Sequence, residues 1–572
     1  MGRWKKRIGL AGAAIITIGV AYAAGWTWMH HWRPSDKYAF QGVDVAEANG
    51  AIDWWAVKRA GADFAYVRVT SGADRRDARF QENWAALYET GLRRGASHLY
   101  SICRLATDQA NLFNTTVPRD DSALPAALAP HGVAVTTLIP GYPAVATAAK
   151  RGKVVHRWSD LLGVEARLIA STIDGHPLLV LDAPTLFARE GGIYGYDDDW
   201  HRFAALSRAA ADVAGGAIKK MGRFDILHAH DWQAAMAPAY LRYDANSRTR
   251  SVATIHNIAF QGRFDADIFP GLALPDAAFA VDGVEYYGGV GFLKAGLEAA
   301  DAITTVSPSY AAEIREPAFG MGLEGLIGAR ADRVWGIVNG IDPAIWNPET
   351  DASLPARYTA RTLTRRKANK RAIEAQFALT PGDGPLFTVI SRLTWQKGMD
   401  VLAECLDGLV AHGGRLALLG SGDADLETAF RAAADRHPGL IGVRIGYDEA
   451  LSHLLQGGAD AILIPSRFEP CGLTQLYGLA YGCVPVVART GGLADTIIDA
   501  NDAALAAGVA TGFHHGAVSR AALTHAIART VEAFARPDIW CTIQRNGMRA
   551  DFSWGASGQR YADLYKHMME AA

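Results

Sequence analysis

The sequence predicts an α/β protein whose sheets are parallel and doubly wound. Three observations carry that expectation. Short, mostly apolar runs of strand length recur along the chain, such as Leu386-Phe387-Thr388-Val389-Ile390 and Ala461-Ile462-Leu463-Ile464, and strands buried on both faces read this way. Stretches with apolar residues at helical spacing follow them, and strands alternating with helices pair in parallel through right-handed crossovers. Charged and glycine-rich segments cluster in the loops that leave the strands, where open α/β sheets bind their ligands.

The 572 residues leave room for three or four domains at roughly 150 residues each. Half of them are hydrophobic and the formal charge is only −2, which suggests neither disorder nor a nucleic-acid footprint. The five cysteines, Cys103, Cys405, Cys471, Cys483 and Cys541, are odd in number and widely spaced without a Cys-x-x-Cys pair. That pattern argues against a disulfide framework or zinc site and for free thiols in a reducing compartment.

Residues 1–32 begin with the basic cluster Arg3, Lys5, Lys6 and Arg7, followed by an uncharged, mostly apolar run from Ile8 to Trp28. The run is long enough to span a bilayer as a helix, and Trp26, Trp28 and Trp32 suit an interfacial belt. Ala21-Tyr22-Ala23 also offers a signal-peptidase site, so cleaved signal and anchor both stay open, with the anchor preferred. A single-pass anchor would hold the protein on a membrane and put everything after Trp32 outside the cytoplasm. The cysteines point the other way.

Residues 38–121 read as a βαβαβ series. Phe40 to Val45, Phe64 to Thr70 and Gly95 to Ser101 are its strands, and Ile52 to Lys58 and Phe80 to Thr90 its helices. Gly42-Val43-Asp44-Val45, Ile52-Asp53-Trp54 and Phe64-Ala65-Tyr66-Val67-Arg68 resemble the opening of the family 25 glycoside hydrolases, muramidases with a β/α barrel. In that family Asp44 is one site carboxylate and an Asp-x-Glu on a later strand supplies the acid. Glycoside hydrolysis normally uses two carboxyl groups. The later strand is absent, which leaves a partial barrel segment with Asp44 as a relic.

Beyond residue 122, strands are expected at Val133 to Leu138, Leu178 to Leu181, Ile226 to Trp232 and Val252 to Asn257, with a helix from Trp200 to Met221. His228, His230 and Asp231 invite a zinc reading, but alternate strand residues share a face, so the histidines align while Asp231 points away. An Asn339-Gly340 turn and a polar connection from Pro343 to Asn369 precede the second sheet. Its expected strands are Leu386 to Ile390, Leu416 to Leu419, Val443 to Tyr447, Ala461 to Pro465 and Val484 to Val487, a five-strand parallel set. Arg392 and Lys397 lie in the loop ahead of a helix from Met399 to Val410, where two cations and a helix amino terminus suit a diphosphate. Thr490-Gly491-Gly492 opens another helix whose N–H groups can face the same anion.

The ten-residue loop Ser466-Arg467-Phe468-Glu469-Pro470-Cys471-Gly472-Leu473-Thr474-Gln475 follows one strand and opens a helix. A lone Glu-Pro with a nearby glycine is also an ordinary helix start. The full string, with Ser391-Arg392-Leu393-Thr394-Trp395-Gln396-Lys397-Gly398 and Ile226-Leu227-His228-Ala229-His230-Asp231-Trp232, resembles the bacterial glycogen and starch synthases of glycosyltransferase family 5. The resemblance runs from about 122 to 572.

It implies the GT-B fold, two Rossmann-like domains facing a cleft: residues 122–345, a nucleotide-sugar-binding domain at 370–540, and carboxy-terminal helices at 541–572 packing back. It implies retaining transfer of glucose from ADP-glucose to the non-reducing end of an α-1,4-glucan such as glycogen, with no cofactor and no metal. Glu469, Asp231 and His256 would be the catalytic set. The donor would be held by Arg392, Lys397, Asn339, Tyr447, Cys471, Gly472, Leu473, Thr474, Gly491 and Gly492. Such chemistry belongs in the cytoplasm, against the anchor. The family opens with a strand and a Lys-Thr-Gly-Gly-Leu-Ala-Asp loop that this chain lacks, and Asn111 to Pro118 contain no lysine. A membrane-tethered α-glucan-binding chimera without turnover, and a cell-wall muramidase, are the other readings.

Overall fold

The computed structural model describes residues 42–45, 52–59, 62, 64–71, 75–76, 86 and 93–99, and residues 123–570 apart from 174 and 190–192. The expected membrane helix, residues 1–32, lies outside the described residues. Among those described, no helix is long and apolar enough to cross a membrane. The chain divides into two compact units between Leu112 and Phe113.

In the first unit, strand Gly42–Val45 pairs in parallel with Phe64–Ser71, which pairs in parallel with Arg93–Leu99. A two-residue strand, Arg75–Arg76, folds back antiparallel on the middle one. Helix Trp54–Arg59 starts where the Asp53 carboxylate accepts the Ala56 N–H at 2.9 Å, the usual way to satisfy a free amide at a helix start, and it buries Trp54. The βαβ expectation holds there with the third strand two residues early. Asp44 lies in the first strand.

The second unit has two lobes. The second lobe's sheet is wholly parallel and six-stranded, in the order Ile441–Ile445, Arg415–Gly420, Leu386–Ile390, Ala461–Ile464, Val484–Ala488, Phe513–His515. The last strand extends the expected five. Chain order runs outward in both directions from the adjacent pair Leu386–Ile390 and Ala461–Ile464, so the sheet's switch point lies between them. At a switch point the loops leaving neighbouring strands diverge and open a crevice.

Among the described residues the first lobe's strands fall into two main sheets and a small three-stranded one, Arg263–Phe264, Gly289–Gly291 and Glu285–Tyr286, rather than the single doubly wound sheet expected. Strands Val334–Gly336, Ala302–Thr305, Arg250–Ile255 and Ile226–His230 form one parallel sheet. Thr137–Pro140, His176–Asp182, Val164–Ile173 and Lys153–Leu161 form a second, in which only the first pair is parallel. The two strands missed in sequence, Lys153–Leu161 and Val164–Ile173, meet at a tight hairpin where Leu162 and Gly163 have φ of 52° and 92°. Among the described residues, Thr137–Pro140 and Ile226–His230 each have one strand neighbour.

The expected carboxy-terminal boundary at 541 falls inside helix Pro537–Arg549, which buries Trp540 and Ile543 in the second lobe's core. The return to the first lobe is made by helix Trp554–Glu570. Its Tyr561, Leu564, Tyr565 and Met568 pack with Leu128, Val252, Ala302 and Ile337.

Candidate functional site

The loops at the switch point are tied together. Arg467 N–H donates to the Gln396 carbonyl at 2.9 Å, and the Arg467 guanidinium lies 4.3 Å from the Trp395 ring centre while gripping both oxygens of Asp400 at 2.7 and 2.8 Å. Gly398, at φ 67°, is required here: a Cβ would stand 1.9 Å from the Pro465 carbonyl oxygen. This contact sets Lys397 against the opposite loop, where its ammonium meets the Glu469 carboxylate at 2.6 Å. The same carboxylate oxygen accepts the Ser466 hydroxyl at 2.8 Å, and Glu469 is only 7 % exposed. The Nε of Arg392, in the same strand-to-helix loop as Lys397, is buried with no hydrogen-bond partner among the described residues. A buried guanidinium donor left open calls for an anionic acceptor. Helix Thr474–Tyr481 starts just beyond, with Leu473 at its cap, adding first-turn N–H groups to the same crevice.

Several expected donor residues have partners within the protein. The Gly491 N–H donates to the Glu313 carboxylate at 2.8 Å, and the Gly492 N–H donates to the Glu469 and Pro470 carbonyls at 3.1 Å each. These glycines brace the Glu469 loop, since a Cβ at Gly492 would stand 2.1 Å from the Cys471 carbonyl oxygen. Cys471 is buried, and burial pushes its thiol up to about 12, against a smaller opposing effect of the Asn339 backbone N–H. Asn339 therefore reaches the second lobe through its backbone. Gly472, at φ 70°, turns the chain into the helix. Tyr447 stands apart, 54 % exposed beyond the edge strand Ile441–Ile445. Two strands separate it from the Glu469 strand, about 14 Å at ordinary strand spacing.

On the first lobe, strands Ile226–His230 and Arg250–Ile255 end side by side and bring Asp231 to His256. Asp231, in left-handed backbone at φ 52°, accepts the His256 N–H at 2.8 Å and the Asn257 N–H at 3.5 Å. Burial pushes its carboxyl up to about 6, against the opposing effect of those two bonds. The His256 ring hydrogen-bonds His230 at 3.0 Å, and burial drives His256 down to about 4. His230 is shifted in the same direction by the surrounding protein. His256 adds to that shift and Asp231 opposes it. His228 points into the lobe, bonding Tyr565 at 2.7 Å and Thr254 at 2.5 Å. Among the described residues no group of three or more His, Cys, Asp or Glu could hold a metal ion.

Residues that sequence reasoning did not single out join the lobes. Ser307 donates to the Pro470 carbonyl, while the Ser309 N–H and hydroxyl both reach Asp495, each at 2.7 Å. Glu313 also accepts the Thr490 hydroxyl at 3.1 Å. Tyr194 feels both Asp231 of the first lobe and Arg392 of the second, and burial raises its hydroxyl pKa. A strand ending in Thr305-Val306-Ser307-Pro308 was the available signal for the serines. Nothing local marks Glu313 or Tyr194.

Residues 122–329 match the family described as the starch synthase catalytic domain, residues 370–533 match glycosyl transferases group 1, and residues 43–130 match glycosyl hydrolases family 25. The chain is 66 % identical over 453 residues to the glycogen synthase of Novosphingobium aromaticivorans, covering 77 % of this chain and 93 % of that protein. It is 61 % identical over 453 residues to the glycogen synthase of Mesorhizobium japonicum, covering 78 % and 94 %. Among solved structures it resembles the catalytic domain of starch synthase IV from Arabidopsis thaliana bound to ADP and acarbose. That similarity has a TM-score of 0.69 at 27 % identity, over 87 % of this chain and 98 % of that one.

Proposed function

This chain belongs to the glycogen synthase family, and on that premise we propose that it is a retaining glycosyltransferase that moves glucose from ADP-glucose to the 4-hydroxyl at the non-reducing end of an α-1,4-glucan. The observation that carries the reading is the meeting of Lys397 and Glu469 at the second sheet's switch point, with the open Nε of Arg392 in the loop that carries Lys397. As the bond between the sugar C1 and the diphosphate breaks, its electron pair leaves with ADP, the acceptor's 4-oxygen bonds to C1 on the face that ADP leaves, and the hydroxyl proton passes to a phosphate oxygen of the departing ADP. Arg392 and Lys397 meet the growing phosphate charge, the largest contribution such a site makes. Lys397 turns to the phosphate when the donor enters, which frees Glu469 for the sugar hydroxyls and the positive ring. Asp231 and His256 close the cleft from the acceptor side. Cys471, Gly472, Leu473 and Thr474 line the donor loop, Asn339 backs it, and Tyr447 forms the nucleotide's outer rim. The step as written needs neither metal nor cofactor.

Calorimetric titration with ADP tests the assignment. Lys397→Ala should weaken ADP binding at least tenfold, in keeping with about 1.5–3 kcal/mol for a charged hydrogen bond. Glu469→Ala should lower turnover while ADP affinity stays equal or rises, because the lysine loses its competing carboxylate. Unchanged ADP affinity in Lys397→Ala would remove that residue from the donor site.

We assign the reaction to the cytoplasm, where ADP-glucose is made. The four described cysteines, Cys405, Cys471, Cys483 and Cys541, are free thiols, as a reducing compartment favours. A reporter that works only in the cytoplasm, fused after Met568, should be active. Silence there, with activity from an exported reporter, would reverse the assignment.

A further inference from the structure

Three large apolar side chains stand exposed on adjoining loops of the first lobe: Phe260 and Tyr287, each 53 % exposed, and Met321, 46 % exposed. They come from distant parts of the chain, and specific bonds gather them. The Gln261 side-chain amide donates to the Met321 carbonyl at 3.1 Å and to the Ile258 carbonyl at 3.3 Å. The Tyr286 hydroxyl donates to the same Met321 carbonyl at 3.5 Å, and the Tyr286 and Tyr287 rings meet edge-on at 4.7 Å. Arg263 holds the Tyr287 carbonyl at 2.9 Å. Gly322 keeps space for the tyrosines, since a Cβ there would stand 2.8 Å from the Tyr286 hydroxyl and 3.5 Å from that of Tyr287.

Two of the three are held at a cost. Tyr287 and Met321 have φ of 49° and 51°, left-handed backbone that disfavours side chains larger than glycine. Strain of this kind persists where surrounding structure imposes it, and it recurs at binding sites. Burying these side chains would reward the strain, yet all three face solvent. Exposed apolar groups gathered in this way mark a surface that receives a ligand.

The position identifies the ligand. Phe260 is four residues past His256, and its N–H donates to the carbonyl of Asn257, whose own N–H reaches Asp231. Gly262 packs on the ring of Trp232, the residue after Asp231, at a distance where a Cβ would stand 2.3 Å from the ring. The patch is thus continuous with the loops that carry Asp231 and His256. A polymeric acceptor with its non-reducing end at those residues has this patch within reach of its next sugar units. Sugar rings present C–H faces that lie on aromatic rings, the mix of apolar floor and polar edge found in ligand sites.

We propose that Phe260, Tyr287 and Met321 form a platform that carries the acceptor α-glucan beyond the reacting sugar unit. The inference rests on the glucan synthase reading above. It extends that reading from the reacting centre to the chain behind it, so the platform sets affinity for long acceptors and leaves donor binding alone.

The test uses the full chain with Tyr287→Gly, Phe260→Ala and Tyr287→Trp. Tyr287→Gly removes the ring and relieves the left-handed strain, so its melting temperature should match or exceed the parent's, which separates lost binding from lost folding. Retardation in glycogen-containing native gels and the Kd for maltoheptaose should weaken roughly tenfold in Tyr287→Gly and Phe260→Ala and recover in Tyr287→Trp. ADP affinity should be unchanged in all three. If the parent binds ADP and maltoheptaose and both ring-removing variants bind maltoheptaose equally well, the platform is wrong and the synthase reading stands. If the parent binds ADP but no glucan, both fall.

Discussion

Asp231 shows how a single residue trades stability for chemistry. Its carboxyl is raised to about 6 by burial, so in the folded chain the ionised form is disfavoured relative to the unfolded chain. A raised value means stability is fully present below the unfolded pKa and is lost as pH rises through the folded one. Asp231→Asn should therefore stabilise the fold at pH 7.5, by up to about 3 kcal/mol from the size of that shift, with the gain shrinking towards zero near pH 4. Asparagine also tolerates the left-handed backbone. Turnover should fall at the same time, and in the parent it should drop below about pH 6, where Asp231 takes up a proton. Melting curves at both pH values check the first expectation and a pH–rate profile the second. His256, held down to about 4, stays neutral across that range and does not supply the limb. A melting temperature at pH 7.5 no higher in Asp231→Asn would mean that the carboxylate is well solvated. Arg392, Lys397 and Glu469 were legible because each sits in a long, specific string directly after an apolar strand. Tyr194 and Glu313 were not, because their neighbours across the cleft come from more than 170 residues away.

At the scale of elements, helix Pro308–Glu313 joins the lobes. It is capped by Ser307, whose oxygen accepts the Tyr310 N–H at 3.1 Å while its own proton goes to the Pro470 carbonyl. Its far end delivers Glu313 to Thr490 and Gly491, and burial raises the Glu313 pKa. Glu313→Ala would strand a partly buried hydroxyl and amide, costing about 1–3 kcal/mol. Glu313→Gln keeps an acceptor oxygen and removes the charge that burial penalises, so it should cost much less. Urea denaturation should rank parent and Gln together above Ala; equal midpoints for Ala and parent would show that the contact is replaced by water. Element legibility followed burial. Second-lobe strands, covered on both faces, read as apolar runs. Phe513–His515 escaped notice because it is three residues long with two histidines. The hairpin strands Lys153–Leu161 and Val164–Ile173 were missed because their charged residues alternate with apolar ones over a half-exposed surface.

For the whole molecule, the decisive feature is the division of the first lobe's main strands, among the described residues, between two sheets. Strands Thr137–Pro140 and Ile226–His230 each have one strand neighbour among the described residues, where a doubly wound lobe would run as one sheet. The synthase match begins at residue 122, and the residues before it match a different family. The resemblance implies an opening strand followed by a Lys-Thr-Gly-Gly loop that touches the donor, and no such string stands ahead of residue 122 in this sequence. A sheet strand without its second neighbour exposes backbone groups, and one missing charged donor contact costs on the order of 2–4 kcal/mol in the transition state. Replacing residues 1–121 with a synthase-type strand and Lys-Thr-Gly-Gly loop should therefore speed glucose transfer by at least about 30-fold, the lower end of that range converted to a rate. It should also raise the urea midpoint of the second unit. Radiolabelled glucose incorporation into glycogen, at matched concentrations of folded protein, gives the comparison. Lys397→Ala in the grafted chain should abolish the gain, since both cations serve one leaving group. If the unmodified chain is already as fast as the graft, the residues present complete the donor site, and the open strand edges have no bearing on catalysis.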